Sequence, residues 1–412
     1  MIRKILKWIF KLILATLLLV ALSYGAFHLW EYSTGGKYVD YLTKNSETIP
    51  LEESFSYQLM EPDIEKSKLI LVGEIHGFEE PLKFDLDFFK YLHENHQVNH
   101  YLAELDFVQA GLLNEFLQTG NEDLLKEVLK NWFVLQGRNN KGYFNKYLEL
   151  HHYYTQLPEE NKFEFIGIDK IQDMELISKY LSALFPSMNI EESKTLDIET
   201  LLIQIDTLSQ LYTNSSDTLF ILSHLKTNLQ YRTEKVNREE VMYQNFRHIY
   251  TAYHLEESKL YGYFGLYHVF QYRVNAQHPF ASKIRQSDLG LEEKILSVNF
   301  FMVDSYTVMD SKSLPKFIRD EGKYTRMPIT SDNMLFMYIY GVKDFKRMTA
   351  ENHKSLIKMN AENNPYSGTN RLNKTIQILP VTKVWEMTDQ GKPYVQYTVF
   401  VRNSDWAEPM IE

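Results

Sequence analysis

The chain has 412 residues, 44% of them apolar and 24% charged, with a formal net charge of −10 and no cysteine. This is the composition of a globular protein long enough for two or three domains, and the lack of cysteine excludes disulfides, thiolate metal sites and a cysteine nucleophile. Without the four basic residues near its amino terminus the body carries about −14, a surface that repels nucleic acid.

Arg3, Lys4, Lys7 and Lys11 are the only charges in the first thirty residues, and residues 12–30 form an uncharged run of 19. At ~1.5 Å per residue, such a helix spans the hydrocarbon core of a bilayer. The preceding positive charges predict a cytoplasmic start and an exported body, on the periplasmic or extracellular side. Residues 1–30 are therefore expected to be an uncleaved anchor, with cleavage of a signal peptide near Ala21-Leu22-Ser23 as the alternative.

Residues 31–65 follow as a polar juxtamembrane segment. Residues 68–72 then form a short buried-strand pattern that ends at Gly73. Helical periodicity over 82–94 and a second strand at 100–105 complete a βαβ unit, whose strands are expected to be parallel. Residues 107–157 are expected to be helical, and 162–169 a third strand. The stretch 172–258 is helical in pattern, with breaks near Pro186 and at Asn214-Ser215-Ser216, and is expected to be an inserted cap. Strands are predicted at 260–264, 295–303 and 334–340. A carboxy-terminal extension, 346–412, is predicted to hold a β-hairpin of 375–387 and 393–402, turning at Asp389-Gln390-Gly391. The whole predicts an α/β fold over 66–345: a central, mostly parallel sheet flanked by helices, with the helical cap inserted.

One tetrapeptide pattern occurs twice, as Gly73-Glu74-Ile75-His76 and Gly265-Leu266-Tyr267-His268, each after an apolar strand-like run. The glycine is expected to let the chain turn sharply at positive φ, and the histidine to project from the carboxyl end of a sheet, where open α/β sheets place ligands. Two such histidines, about 190 residues apart in sequence, can face one pocket.

Glu74 shares its turn with His76 and can orient the imidazole or share a metal with it. Glu104 ends an otherwise apolar strand, where a carboxylate is expensive to bury unless paired or metal-bound. Asp106 lies on the same strand face by the period of two, and Asp169 ends the third strand. Arg238 and Asn245 fall on one face of the helix before the second motif, with Glu239 beside them. Asp106, Asp169, Arg238, Glu239 and Asn245 are taken as candidates for binding substrate. The remaining histidines, among them His93, His96 and His100, are taken as surface residues. Two histidines with carboxylates suit a divalent metal such as Zn or Mn, held by His76, Glu104 and His268. They suit equally a metal-free hydrolysis in which one histidine is general base.

The order Gly-Glu-x-His, strand-end Glu-x-Asp, Gly-Ile-Asp, an Arg-Glu helix and Gly-x-x-His-Val, over roughly 66–345, resembles the erythromycin esterase family. That family belongs to a wider group with the Tiki/TraB proteins and the ChaN-like haem-binding lipoproteins. The resemblance implies an α/β fold in which His76 activates water, Glu74 and Glu104 position it, and His268 binds the scissile carbonyl or its oxyanion. A Tiki-like member would instead use His76, Glu104 and His268 as metal ligands for peptide cleavage, and a ChaN-like member would hold haem. The expectation is a membrane-anchored hydrolase acting on a small-molecule or peptide substrate. Its second motif lacks the additional histidine usual in macrolide esterases, which leaves the substrate open.

Overall fold

The computed structural model describes residues 2–131, 139–171, 173–186, 197–378, 385–389 and 391–410. The chain opens with the helix α1 (Ile2–Thr34), then α2 (Gly36–Lys44), β1 (Ser46–Pro50) and α3 (Glu61–Lys66). Next come β2 (Leu69–Glu74), α4 (Glu80–His96), β3 (His100–Asp106), α5 (Phe107–Thr119), α6 (Glu122–Asn131) and α7 (Lys141–Gln156). β4 (Glu164–Asp169) leads into the inserted helices α8 (Met174–Leu184), α9 (Ile198–Leu211), α10 (Ser216–Thr233) and α11 (Arg238–Ala252). After β5 (Leu260–Gly265) come α12 (Phe280–Arg285), β6 (Ile295–Val303), β7 (Thr307–Asp310) and β8 (Tyr324–Met327). The last elements are β9 (Asp332–Asn333), β10 (Met337–Ile339), α13 (Val342–Met348), β11 (His353–Lys358), β12 (Thr375–Ile376) and β13 (Tyr397–Arg402).

Eight strands form the central sheet in the order β1-β11-β13-β6-β2-β5-β3-β4. From β13 to β4 the pairing is parallel, and β11 is antiparallel to both of its neighbours. Every residue of β2, β5, β6 and β13 is buried, as expected where helices cover both faces of a parallel sheet. One apolar layer packs the sheet against α4, α5 and α7, and a second packs it against α11, α12 and the turn after β5. The fold is α/β with inserted helices, as the alternation of patterns predicts.

Two expectations change. β2 and β3 are parallel but not adjacent, because β5 returns from the helical insertion and pairs with both. The carboxy-terminal hairpin does not form. Val399, Phe400 and Val401 are wholly buried, and β13 satisfies its backbone between β11 and β6 inside the main sheet. A continuous apolar run gains more from burial on both faces than from an exposed hairpin. Of the expected partner 375–387, residues 379–384 lie outside the described residues, as does Gln390 of the turn, and Thr375–Ile376 pairs with β10 in a small separate sheet. The strand expected at 334–340 shortens to Met337–Ile339 and belongs to that small sheet. Since β1, β11 and β13 come from the expected flanks 31–65 and 346–412, both flanks are integral to the sheet.

α1 is long and apolar enough to cross a membrane, and its window of mean hydropathy 2.3 has no residue buried in the body. Its last turns are different. Glu31 is 1% exposed and accepts hydrogen bonds from the Tyr338 hydroxyl and from the Gly341 amide at 2.8 Å. Arg371 donates to the Glu31 carbonyl at 2.9 Å and to Thr34 Oγ1 at 2.8 Å. Trp30 stacks on Tyr340 with 6.0 Å between ring centres.

Candidate active site

Parallel pairing of β2 with β5 sets Glu74 opposite Gly265, so both Gly-x-x-His turns leave adjacent strands at one carboxyl edge. The glycines serve contact rather than turning. Neither Gly73 nor Gly265 has positive φ; the left-handed residue is Gly77, at +87°. A Cβ on Gly73 would stand 2.4 Å from Val269 Cγ2 and 3.0 Å from Leu266 Cα, a close approach that only glycine permits. At Gly265 a Cβ would lie 3.0 Å from His76 Nε2 and 3.3 Å from Glu104 Oε2. The His76 ring therefore lies over the second glycine, beside Glu104.

The His76 side chain is 29% exposed, and its Nδ1 lies 2.8 Å from Glu74 Oε1. Glu74 is buried at the end of β2 and also accepts from the hydroxyls of Tyr143 and Tyr263, the latter at 2.9 Å. Three donors make burial of this carboxylate tolerable and fix the imidazole it holds. Assigning the Nδ1 proton to the Glu74 side presents Nε2 over Gly265. Burial, then the Glu74 charge, push the Tyr263 hydroxyl far above its usual range.

Below this group lies a second ion pair. Lys146 of α7 donates to Asp85 of α4 at 2.7 Å, and Asp85 also accepts from Tyr101 and from Tyr261, the latter at 2.6 Å. The Lys146 ammonium is 4.7 Å from the ring centres of both Tyr143 and Tyr263, so the tyrosines that hold Glu74 rest on a buried cation.

His268 is placed differently. It is only 7% exposed, with Nδ1 2.9 Å from Glu239 and Nε2 3.5 Å from Glu104 Oε1. Burial alone would depress its pKa, but Glu239 and then Glu104 outweigh it and raise the group to about 9. His268 is thus an imidazolium at neutral pH. Glu239 is fixed in turn by the Phe280 amide at 2.8 Å.

Arg238, the first residue of α11, closes the arrangement. Its Nε donates to Asp169 Oδ1 at 2.9 Å, Nη2 reaches Asp169 and Glu104 Oε1, the latter at 2.6 Å, and Nη1 is 3.5 Å from His268 Nε2. Burial opposes its charge, yet Asp169 and Glu104 hold it firmly protonated. Glu104 also accepts from the Gly265 amide. It is aimed there by an irregularity in β3, where register shifts between Ala103 and Asp106 against β4.

That irregularity overturns the same-face reading of Glu104 and Asp106. Asp106 caps α5, accepting from the Gln109 amide at 3.0 Å in a capping box. Asn245 is also structural in placement: it donates to the Ile168 carbonyl at 3.0 Å and exchanges hydrogen bonds with Asn228 of α10. So His76, Glu74, Glu104, Asp169, Arg238, Glu239 and His268 come together, while Asp106 and Asn245 serve the frame around them. His93, expected at the surface, is buried between the Tyr153 hydroxyl at 2.7 Å and the Asn161 carbonyl at 2.8 Å.

The expected metal ligands do not fit a metal. Among the described residues no group of three His, Asp or Glu side chains is arranged to hold an ion. The guanidinium of Arg238 takes Glu104 and Asp169, and His268 is held as a cation, the wrong form for a ligand. Sequence reasoning missed Tyr143, Tyr263, Asp85 and Lys146. Tyr263 carried one signal, a polar hydroxyl in a fully apolar strand two residues before Gly265; Tyr143 and Lys146 lie on a helix remote in sequence from both turns.

No protein-family model matches the chain, and it matches no curated protein sequence. Solved structures do share its fold. A Bacillus cereus protein superimposes with TM-score 0.64 at 13% identity, over 92% of this chain and 100% of that one. A succinoglycan biosynthesis protein gives 0.61 at 13% identity, over 92% and 99% of the two chains. A mutant of the erythromycin esterase EreC, in an open conformation, gives 0.57 at 12% identity, over 89% and 99%. At these identities the likeness establishes the fold alone: the chain shares the α/β architecture of an erythromycin esterase as a distant structural relative.

Proposed function

We propose that the protein is a hydrolase that cleaves an ester, lactone or amide with water activated by His76, and that α1 anchors it uncleaved with the body exported. The observation that carries this reading is an accessible His76, held by Glu74 over Gly265 beside Glu104, with the cationic pair His268 and Arg238 gathered on that same Glu104. Water attacks the carbonyl carbon while His76 Nε2 takes its proton, as a general base does. The carbonyl oxygen gains the charge, which the cations His268 and Arg238 would stabilise. The leaving oxygen or nitrogen then takes the proton back from His76 as the carbon–oxygen or carbon–nitrogen bond breaks. Glu74 keeps the ring oriented through both transfers. The resemblance to erythromycin esterases and the shared fold of EreC support the class of reaction. The clamped last turns of α1 support retention of the anchor, since cleavage near Ser23 would sever the span from turns built into the body.

The test is a panel of soluble esters, lactones and amides offered to the full chain in detergent, with and without chelator. Turnover that survives chelation and disappears in His76→Ala is expected. Chelator-sensitive peptide cleavage would instead favour a Tiki-like metallopeptidase. Amino-terminal sequencing of membrane-extracted protein should return the start of the chain; a start beyond Ser23 would overturn the anchor.

A further inference from the structure

A cavity of about 140 Å³ lies against the two turns. Ile75, which precedes His76, and Leu266, two residues before His268, both line it. Phe301, Met359, Ile339 and Leu372 line it as well, with Asn299 and Asn364 among its polar residues. Phe301, Met359, Ile339 and Leu372 belong to the same apolar layer on which Phe27 of α1 packs. The cavity thus runs from the catalytic turns to the place where the apolar helix enters the body. Its size matches the ~150 Å³ that admits a benzene-sized hydrocarbon, room for a stretch of one chain and not for a headgroup. Of its two charged lining residues, Arg371 and Lys392, Arg371 is already held by Asp344 at 2.5 Å and by α1.

We propose that this cavity takes the acyl chain of a lipid ester drawn from the membrane that α1 enters. The inference rests on the hydrolase reading and names its substrate class. An apolar wall backing a hydrolytic turn selects for hydrocarbon beside the scissile bond, and a fixed anchor keeps the cavity's far end beside the bilayer. The carbonyl would meet His76 while its chain lies behind Ile75 and Leu266.

The full chain in phosphatidylcholine vesicles provides the test. Burying two further methylenes suffices for about a tenfold gain, so kcat/KM for p-nitrophenyl octanoate should exceed that for the acetate by at least about tenfold. Met359→Trp and Ile339→Trp, which fill the cavity away from the histidines, should abolish that preference and leave acetate hydrolysis intact. Independently of turnover, a diazirine-bearing fatty acyl phosphatidylcholine should label peptides containing Met359 or Ile339 in His76→Ala. Acetate hydrolysis without chain preference or labelling would overturn the cavity assignment and leave the hydrolase standing. Labelling without hydrolysis of any ester would overturn the hydrolase and keep the cavity. Labelling by soluble acyl probes but not by the vesicle lipid would overturn the membrane source.

Discussion

The two Gly-x-x-His turns leave neighbouring strands under the same local pattern, yet their histidines stand in different settings. His76 is held by Glu74, whose charge is shared with two tyrosine hydroxyls, and its ring is 29% exposed. His268 lies between Glu239, Glu104 and the Arg238 guanidinium and is 7% exposed. The number and placement of carboxylates, not the local pattern, decide what each imidazole can do. One is accessible and oriented, which suits proton transfer; the other is charged and buried, which suits binding an oxyanion.

The largest effect expected from breaking this division is at His76. His76→Ala should lower kcat by ~10²–10⁴ with little change in melting temperature, because the ring is partly exposed. Loss of folding together with activity would show the ring to be structural. Arg238→Met should act in the opposite sense, on stability first. It takes the described cation from buried Asp169 and leaves Glu104 only the more distant His268, and breaking such a pair typically costs about 3–5 kcal/mol, readable by denaturant unfolding. A variant as stable as the parent would mean that the two acids are not both charged.

His268 separates the turns by pH. Its pKa is raised in the folded state, so the stability it contributes is full below its unfolded value near 6.5 and is lost as pH rises through about 9. The shift corresponds to roughly 3 kcal/mol. Unfolding followed from pH 6 to 10 should show this alkaline loss, and His268→Gln should flatten it. An unchanged profile in the variant would place the charge elsewhere. The smallest effect is expected at Tyr263→Phe, which removes one of the donors to Glu74. About 1–3 kcal/mol of stability should go, with His76-dependent turnover falling less than in His76→Ala.

Some of this was legible in the sequence because it is local. Apolar runs ending in Gly-Glu, Glu-Leu-Asp and Gly-Ile-Asp announce buried strands whose carboxyl ends carry charge, and β2, β3 and β4 lie where those runs predicted, as β5 and β6 lie where the apolar runs 260–264 and 295–303 did. What was not legible depends on strand order. Nothing in residues 260–268 says that β5 inserts between β2 and β3, the step that lays His76 over Gly265. The period of two could not anticipate the irregularity at Glu104 that separates it from Asp106. For β13, an apolar run followed a turn-like tripeptide, so a hairpin was the local inference; burial on both faces placed it in the central sheet instead.

The sequence by itself determined the apolar amino-terminal helix, the alternation of strands and helices, and the histidines, acids and arginine that meet at the site, because hydrophobic period and strand-end polarity are properties of neighbouring residues. Tertiary structure alone decided their roles. Arg238 and Glu239 of α11, Glu104 of β3, Asp169 of β4 and His268 of the turn after β5 come from four separate elements, and a charge's protonation depends on which other charges stand within a few ångströms of it. That distance is set by sheet order and helix packing, so the same Gly-x-x-His pattern yields an accessible imidazole at one turn and a buried cation at the other.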